Sequence, residues 1–165
     1  MTPIEQLHAT VDLAASLLAR QHRERMQCRR GCSGCCKDDL TVLEVEAARI
    51  RRHHAALLAE GVAGPVGGCA FLDAEGGCRV YAHRPYVCRT QGLPLRWIVK
   101  ELAEDGGLDV YEYRDICPLN DETGPPLEEL PPEELWTIGP TEEQLSALQP
   151  DGVRVPLRSL FSQSA

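Results

Sequence analysis

The sequence has no run of about eighteen apolar residues, the length a helix needs to cross a bilayer, so no membrane-spanning helix and no membrane partner are expected. It is poor in aromatics, at 5% of 165 residues, and short of positive charge, with 17 Lys and Arg against 25 Asp and Glu for a net charge of -8. Phosphate contact needs a basic surface, so this composition argues against a nucleic-acid partner. The pattern of an export signal is also missing. Glu5 and Asp12 interrupt the apolar residues of the N-terminus, and no basic residue precedes Arg20. The expected location is therefore cytoplasmic.

What the sequence has in quantity is cysteine, eight in all: Cys28, Cys32, Cys35, Cys36, Cys69, Cys78, Cys88 and Cys117. A chain of this length buries roughly 70% of its unfolded surface and needs no crosslinks merely to fold. In a reducing cytosol, eight thiols read as metal ligands or redox groups rather than as a disulfide framework.

Charge divides the chain into three. Residues 1–27 are neutral, residues 28–100 carry a net +4 and residues 101–165 a net -12. Seven of the cysteines lie in the basic middle, where arginine can offset the negative charge of metal-bound thiolates. Arg29, Arg30, Arg79, Arg84 and Arg89 adjoin cysteines or lie close to them in sequence, and Arg84 and Arg89 are the best candidates for counter-ions. The expected organisation is a helical, cysteine-cluster metal-binding domain over 1–117. An acidic, Pro-rich C-terminal segment follows over 118–165, packed partly on that domain.

The local patterns predict an α+β fold, a small helix-rich single domain with short β-hairpins organised round a cysteine-ligated metal centre. Thr2, Pro3 and Glu5 start a first helix with a capping box, and Ile4, Leu7, Val11, Ala14 and Leu18 form its apolar stripe, widened by Leu13 and Leu17. A second helix is expected to start near Thr41, boxed by Glu44, with Leu43, Ala47, Ile50, His54 and Leu57 inward and Glu46, Arg49 and Arg52 elsewhere. Gly61 and Gly64-Pro65 end it. His53 and His54 read as a solvated or half-buried helix face. Cys69–Asp73 and Cys78–Tyr81 flank a Gly-rich turn and predict a hairpin with Cys69 and Cys78 at its outer ends. A second hairpin is expected from Trp97–Val99 and Leu108–Tyr113, with a helical continuation over 100–104 as the competing reading. Short helices are expected at Glu133 and after Thr141, and Val153–Phe161 is apolar enough to pack back.

The first four cysteines read C-x3-C-x2-C-C. Short spacings on a loop containing Gly31 and Gly34 let the backbone fold round an ion, with thiolates about 2.3 Å from it. The adjacent Cys35 and Cys36 leave neighbouring backbone positions in different directions, so they fit two ions, or two irons of one cluster, better than one ion. That predicts further ligands from Cys69, Cys78, Cys88 and Cys117, brought to the Cys28–Cys36 loop. Sulfur-only ligation favours zinc or iron–sulfur over magnesium, calcium or manganese. Only Cys32–Cys35 has zinc-knuckle spacing, and Cys117-Pro118 is like the ferredoxin pattern, which puts an iron–sulfur cluster slightly ahead of zinc.

Taken together, Cys28-x3-Cys32-x2-Cys35-Cys36, Cys69-Ala70-Phe71-Leu72, Cys78-Arg79-Val80-Tyr81 and Arg84-Pro85-Tyr86-Val87-Cys88-Arg89 resemble the YkgJ-type cysteine-cluster family, a zinc- or iron-chelating domain. The resemblance spans about residues 28–117 and implies that all eight cysteines belong to the metal site or sites. The functional expectation is a metal-binding protein that holds zinc or an iron–sulfur cluster and is redox-active in the latter case. Two other classes compete: a structural zinc module docking a protein partner, and a metalloenzyme of unknown substrate. The enzyme reading needs acid–base groups near the metal, for which His83, Tyr81 and Tyr86 are nearest in sequence.

Overall fold

The longest helix comes first. In the computed structural model, which describes residues 1–161, α1 spans Pro3–Gln21. The strand β1 (Thr41–Leu43) runs directly into α2 (Glu44–His53), which breaks at His54 before α3 (Ala55–Glu60). A 3-10 turn at Tyr81–His83 leads to the single-turn helix α4 (Tyr86–Arg89). Then come β2 (Leu95–Leu102), β3 (Leu108–Asp115), α5 (Pro118–Asp121), β4 (Trp136–Thr137), α6 (Pro140–Leu148) and β5 (Arg154–Pro156). This is an α+β fold with two small sheets. No helix among the described residues is long and apolar enough to cross a membrane. The last four residues of the 118–165 segment lie outside the described residues.

The main core gathers Val42, Ala47, Ile50, Leu58, Phe71, Val80, Leu157, Leu160 and Phe161, with Cys69 and Cys78 packed against its edge. Each large side chain taken out of water there contributes about 1.5–3 kcal/mol. A second core joins Ile4, Leu7 and Val11 of α1 to Leu43, Tyr86 and Leu145. The chain end is woven in by β5, which pairs antiparallel with β1 through Thr41↔Pro156, Val42↔Val155 and Leu43↔Arg154. Strands β2 and β3 form an antiparallel hairpin from Leu95↔Asp115 out to Leu102↔Leu108, and β4 adds in parallel at its base. That hairpin carries the chain out and back, so the segment after Cys88 returns beside the segment before Cys117.

Several expectations shift by a residue or an element. In α1 the buried positions are Ile4, Leu7, His8, Val11, Ala15 and Leu18, whereas Ala14, Leu13 and Leu17 face solvent. The stripe therefore advances at close to 3.6 residues per turn. The expected capping box is present, with the Glu5 carboxylate accepting the Thr2 N–H at 2.8 Å. Thr41 is not a helix cap. The β-branched Thr41 and Val42 pair with the end of the chain, which moves the helix start to Glu44. On the next helix Leu58 is buried and Leu57 only partly so. The first hairpin shrinks to one bridge, Leu72↔Cys78, with Asp73 accepting backbone N–H groups of Glu75 and Gly77. The second hairpin is longer than expected, and 100–102 continue as strand, not helix. The expected helix at Glu133 is a 3-10 turn, Pro132–Glu134, and α6 starts at Pro140 after a left-handed Gly139.

The largest departure is polar. Glu46, expected on the charged outer face, is 4% exposed and bonded to His8, which is 1% exposed. The guanidinium groups of Arg49 and Arg89 both donate to His8 Nδ1. His8 is thus a neutral ring donating from Nε2 to Glu46 Oε1 at 3.0 Å. Burial pushes its pKa down, the Glu46 hydrogen bond working against that. A base with a folded-state pKa below its ordinary value binds protons more readily when unfolded, so its share of stability is lost as pH falls below about 6.5. We expect the melting temperature to fall less steeply between pH 6.5 and 5 in His8→Gln than in the wild type. Equal slopes in calorimetry would show that His8 is not the group responsible.

Candidate metal centre

The eight cysteines come from irregular chain anchored to regular elements. Cys28, Cys32, Cys35 and Cys36 lie in the loop between α1 and β1, and Cys69 and Cys78 in the tight loop after α3. Cys88 sits in α4, and Cys117 immediately precedes α5. All eight are free thiols. The first loop is stitched onto the second. Cys69 donates its N–H to Cys36 O at 3.0 Å, and Arg30 pairs with Asp73 at 3.1 Å. Gly31 and Gly76, both with positive φ, press together so closely that a Cβ on Gly76 would sit 3.1 Å from Gly31 O.

Electrostatics sort the thiols into two groups. Burial pushes the Cys28 thiol up, an Asn120 hydrogen bond works against it, and the charges of Cys32, Cys117 and Cys35 push it further. The Cys36 thiol is pushed up by its hydrogen bond to Cys35 and by burial, then by the charges of Cys35, Cys69 and Cys88. Burial drives Cys88 up to about 12, with Cys69, Cys78 and Glu46 adding to it. Cys78 rises through burial, and Cys69 adds to it. Two sets of interacting thiols follow: Cys28 with Cys32, Cys35 and Cys117, and Cys36, Cys78 and Cys88 with Cys69. They meet at the vicinal pair, where the hydrogen bond from Cys36 lowers Cys35 to about 6. Among the described residues, no three His, Cys, Asp or Glu side chains are already set round one ion position. The donors on offer, eight thiols, are those that a thiophilic metal such as zinc or iron takes.

The arginines flanking the cysteines divide in their roles. Arg79 is structural, donating to Phe71 O, Val62 O and Ala70 O and lying over the Phe161 ring. Arg84 lies over the Tyr81 ring and pairs with Asp12 at 3.3 Å, and the buried Arg89 pairs with the same carboxylate. Arg84 works against the rise of the Cys78 and Cys88 thiols. Of the nearby acid–base candidates, Tyr86 is buried with its hydroxyl accepting from Trp136 Nε1, Tyr81 is exposed, and His83 contacts His54.

The most informative residues carry no sequence signal of their own. Asn120 is fully buried and joins three cysteine-bearing segments. Its side chain accepts Gln27 N–H at 2.7 Å and donates to Gly92 O at 2.7 Å and to Cys28 Sγ at 3.4 Å, while its backbone N–H donates to Cys117 O. Gly92 has a φ of 90°, and a Cβ there would fall 2.6 Å from Cys28 Sγ. Glu46 plays the matching part for the other group. It accepts Tyr86 N–H at 2.6 Å, fixing the start of the turn that carries Cys88.

Comparison with known families decides the class. The family model CxxCxxCC, described as a putative zinc- or iron-chelating domain, matches residues 27–117. The chain belongs to the CxxCxxCC family. All eight cysteines fall within the matched stretch, whereas α1, with His8 and Asp12, and Asn120 fall outside it. No curated protein and no solved structure matches the chain. In this CxxCxxCC chain, Asn120→Ala leaves the buried Gly92 carbonyl unpaired and the part-buried Gln27 N–H to water, so we expect a loss of about 1–3 kcal/mol in urea unfolding. A variant as stable as the wild type would show that Asn120 does not hold these segments together.

Proposed function

We propose that the eight cysteines form two four-sulfur metal centres, Cys28, Cys32, Cys35 and Cys117 in one and Cys36, Cys69, Cys78 and Cys88 in the other. The observation that carries this reading is that Cys28 feels the charges of Cys32, Cys35 and Cys117 whereas Cys36, Cys78 and Cys88 feel that of Cys69, with the Cys35–Cys36 hydrogen bond between them. The metal is zinc or iron–sulfur, and the Cys117-Pro118 step, similar to the ferredoxin pattern, favours iron–sulfur. Bound iron–sulfur supplies electron transfer, and bound zinc a structural crosslink. The chain's own residues position the donors. Asn120 donates to the Cys28 sulfur, and Glu46 holds the turn of Cys88. Arg84 supplies positive charge to the second group. The reading assigns the protein to the cytoplasm and gives the acidic segment 118–165 no metal ligand.

Elemental analysis and absorption spectra of anaerobically purified protein test this. We expect tightly bound iron with visible absorption, or two zinc ions per chain without it. Cys117→Ser should empty one centre and Cys88→Ser the other, each leaving about half of the metal in folded protein. Metal content that stays at zero after reconstitution would refute the reading, as would one variant emptying both centres while the protein remains folded.

A further inference from the structure

Five histidines are present, and two of them have settled partners. His8 is held by Glu46, and the buried His22 donates from Nε2 to Glu134 O at 2.8 Å. The other three meet in one place. His53 ends α2, His54 occupies the break before α3, and His83 ends the 3-10 turn. The His53 and His83 rings stack with centroids 4.0 Å apart and planes 5° apart. His54 Nε2 lies 2.9 Å from His83 Nδ1, with the two rings nearly edge to face. Glu5 Oε1 lies 3.8 Å from His53 Nε2.

We propose that His53, His54 and His83 form an imidazole-donor site for a borderline divalent transition metal ion such as zinc. Neutral imidazole is the form that binds metal. Burial and the neighbouring histidines, with Arg49 and Arg89, hold His83 down to about 4, and burial with His53 lowers His54. Two nitrogens on one tetrahedral ion at 2.0–2.1 Å stand about 3.3 Å apart, so the His54–His83 contact need open by only a few tenths of an ångström. No three ligand side chains among the described residues stand round one point as they are. The site is therefore a pair of rings that a turn of the exposed His53 completes. Its nitrogen donors favour zinc, nickel or copper over magnesium or calcium. The site does not depend on how the cysteines are occupied.

Calorimetric titration of the full chain with zinc chloride tests it, after the metal held by the cysteines has been measured by elemental analysis. We expect the wild type to bind one zinc ion beyond that complement. Loss of even an outer partner of a metal ligand costs about 10–100-fold in affinity, so His83→Ala and His54→Ala should each weaken the extra site at least tenfold. His53→Ala should weaken it less, and the cysteine-bound metal should be unchanged in all three. Uptake by folded His54→Ala or His83→Ala equal to the wild type would overturn the proposal, as would no uptake beyond the cysteine complement. If His83→Ala does not fold, His54→Ala and His53→Ala decide the matter. Histidine-dependent uptake in a chain whose cysteines hold no metal would leave this site standing and remove the two sulfur centres.

Discussion

Like charges repel, and this chain brings its cysteine sulfurs within electrostatic reach of neighbouring sulfurs. The thiols of Cys28, Cys36, Cys78 and Cys88 are all pushed up, in part by neighbouring thiolates. Such a gathering cannot ionise freely without a compensating cation, and a metal ion is the compact way to supply one. The sulfurs sit on loops and single turns, which have little stability of their own. Ligand-bearing segments that would otherwise separate must be held by groups other than the sulfurs.

Buried polar side chains do this holding, and the chief ones lie on elements beyond the family-matched stretch or on the far side of a helix. Asn120 ties the Cys28 loop, the Gly92 turn and Cys117 together. Glu46 ties α1, through His8, to the turn of Cys88. Arg25 does the same for the approach to Cys28, donating to Thr123 O and Pro125 O across the acidic segment. Each of these would be costly to bury unpaired, and each is bonded to a partner that is distant in sequence. The cysteine spacing therefore supplies donors, and the flanking helices supply their register.

That division explains what could be read in advance. The α+β class, the first helix, the long β2–β3 hairpin and the packing of Leu157, Leu160 and Phe161 follow from apolar periodicity and turn residues, which are local signals. Cys35 and Cys36, expected to point apart, are joined by a hydrogen bond between their thiols, a contact that spacing alone does not show. Thr41 misled because a capping box and a short strand use the same residue types, and the choice lay with Val155, more than a hundred positions away. Glu46 misled for a similar reason. A carboxylate on a helix reads as solvated unless its partner is known, and its partners, His8 and Tyr86 N–H, lie 38 and 40 residues away. Asn120 is a single amide with no periodicity, so nothing in the sequence marked it as fully buried.

Charge at the second cysteine group follows the same logic. Asp12 on α1 pairs with both Arg84 and Arg89, and Glu46 bonds to His8, which in turn accepts from Arg49 and Arg89. Three guanidinium groups thus share two carboxylates, which leaves one formal positive charge beside the turn of Cys88. Arg89 Nε and Arg49 Nε are buried without a hydrogen-bond partner, so the cluster is not fully satisfied within itself. A buried cation with spare donors stabilises negative charge nearby, and four thiolates on a divalent ion carry two negative charges in excess. The overall acidity of the chain, concentrated after residue 100, therefore coexists with a locally positive setting where thiolate charge collects. Arg84, which works against the rise of the Cys78 and Cys88 thiols, is itself held by Asp12, so that the N-terminal helix, which contributes no sulfur, bears on the electrostatics of these thiols.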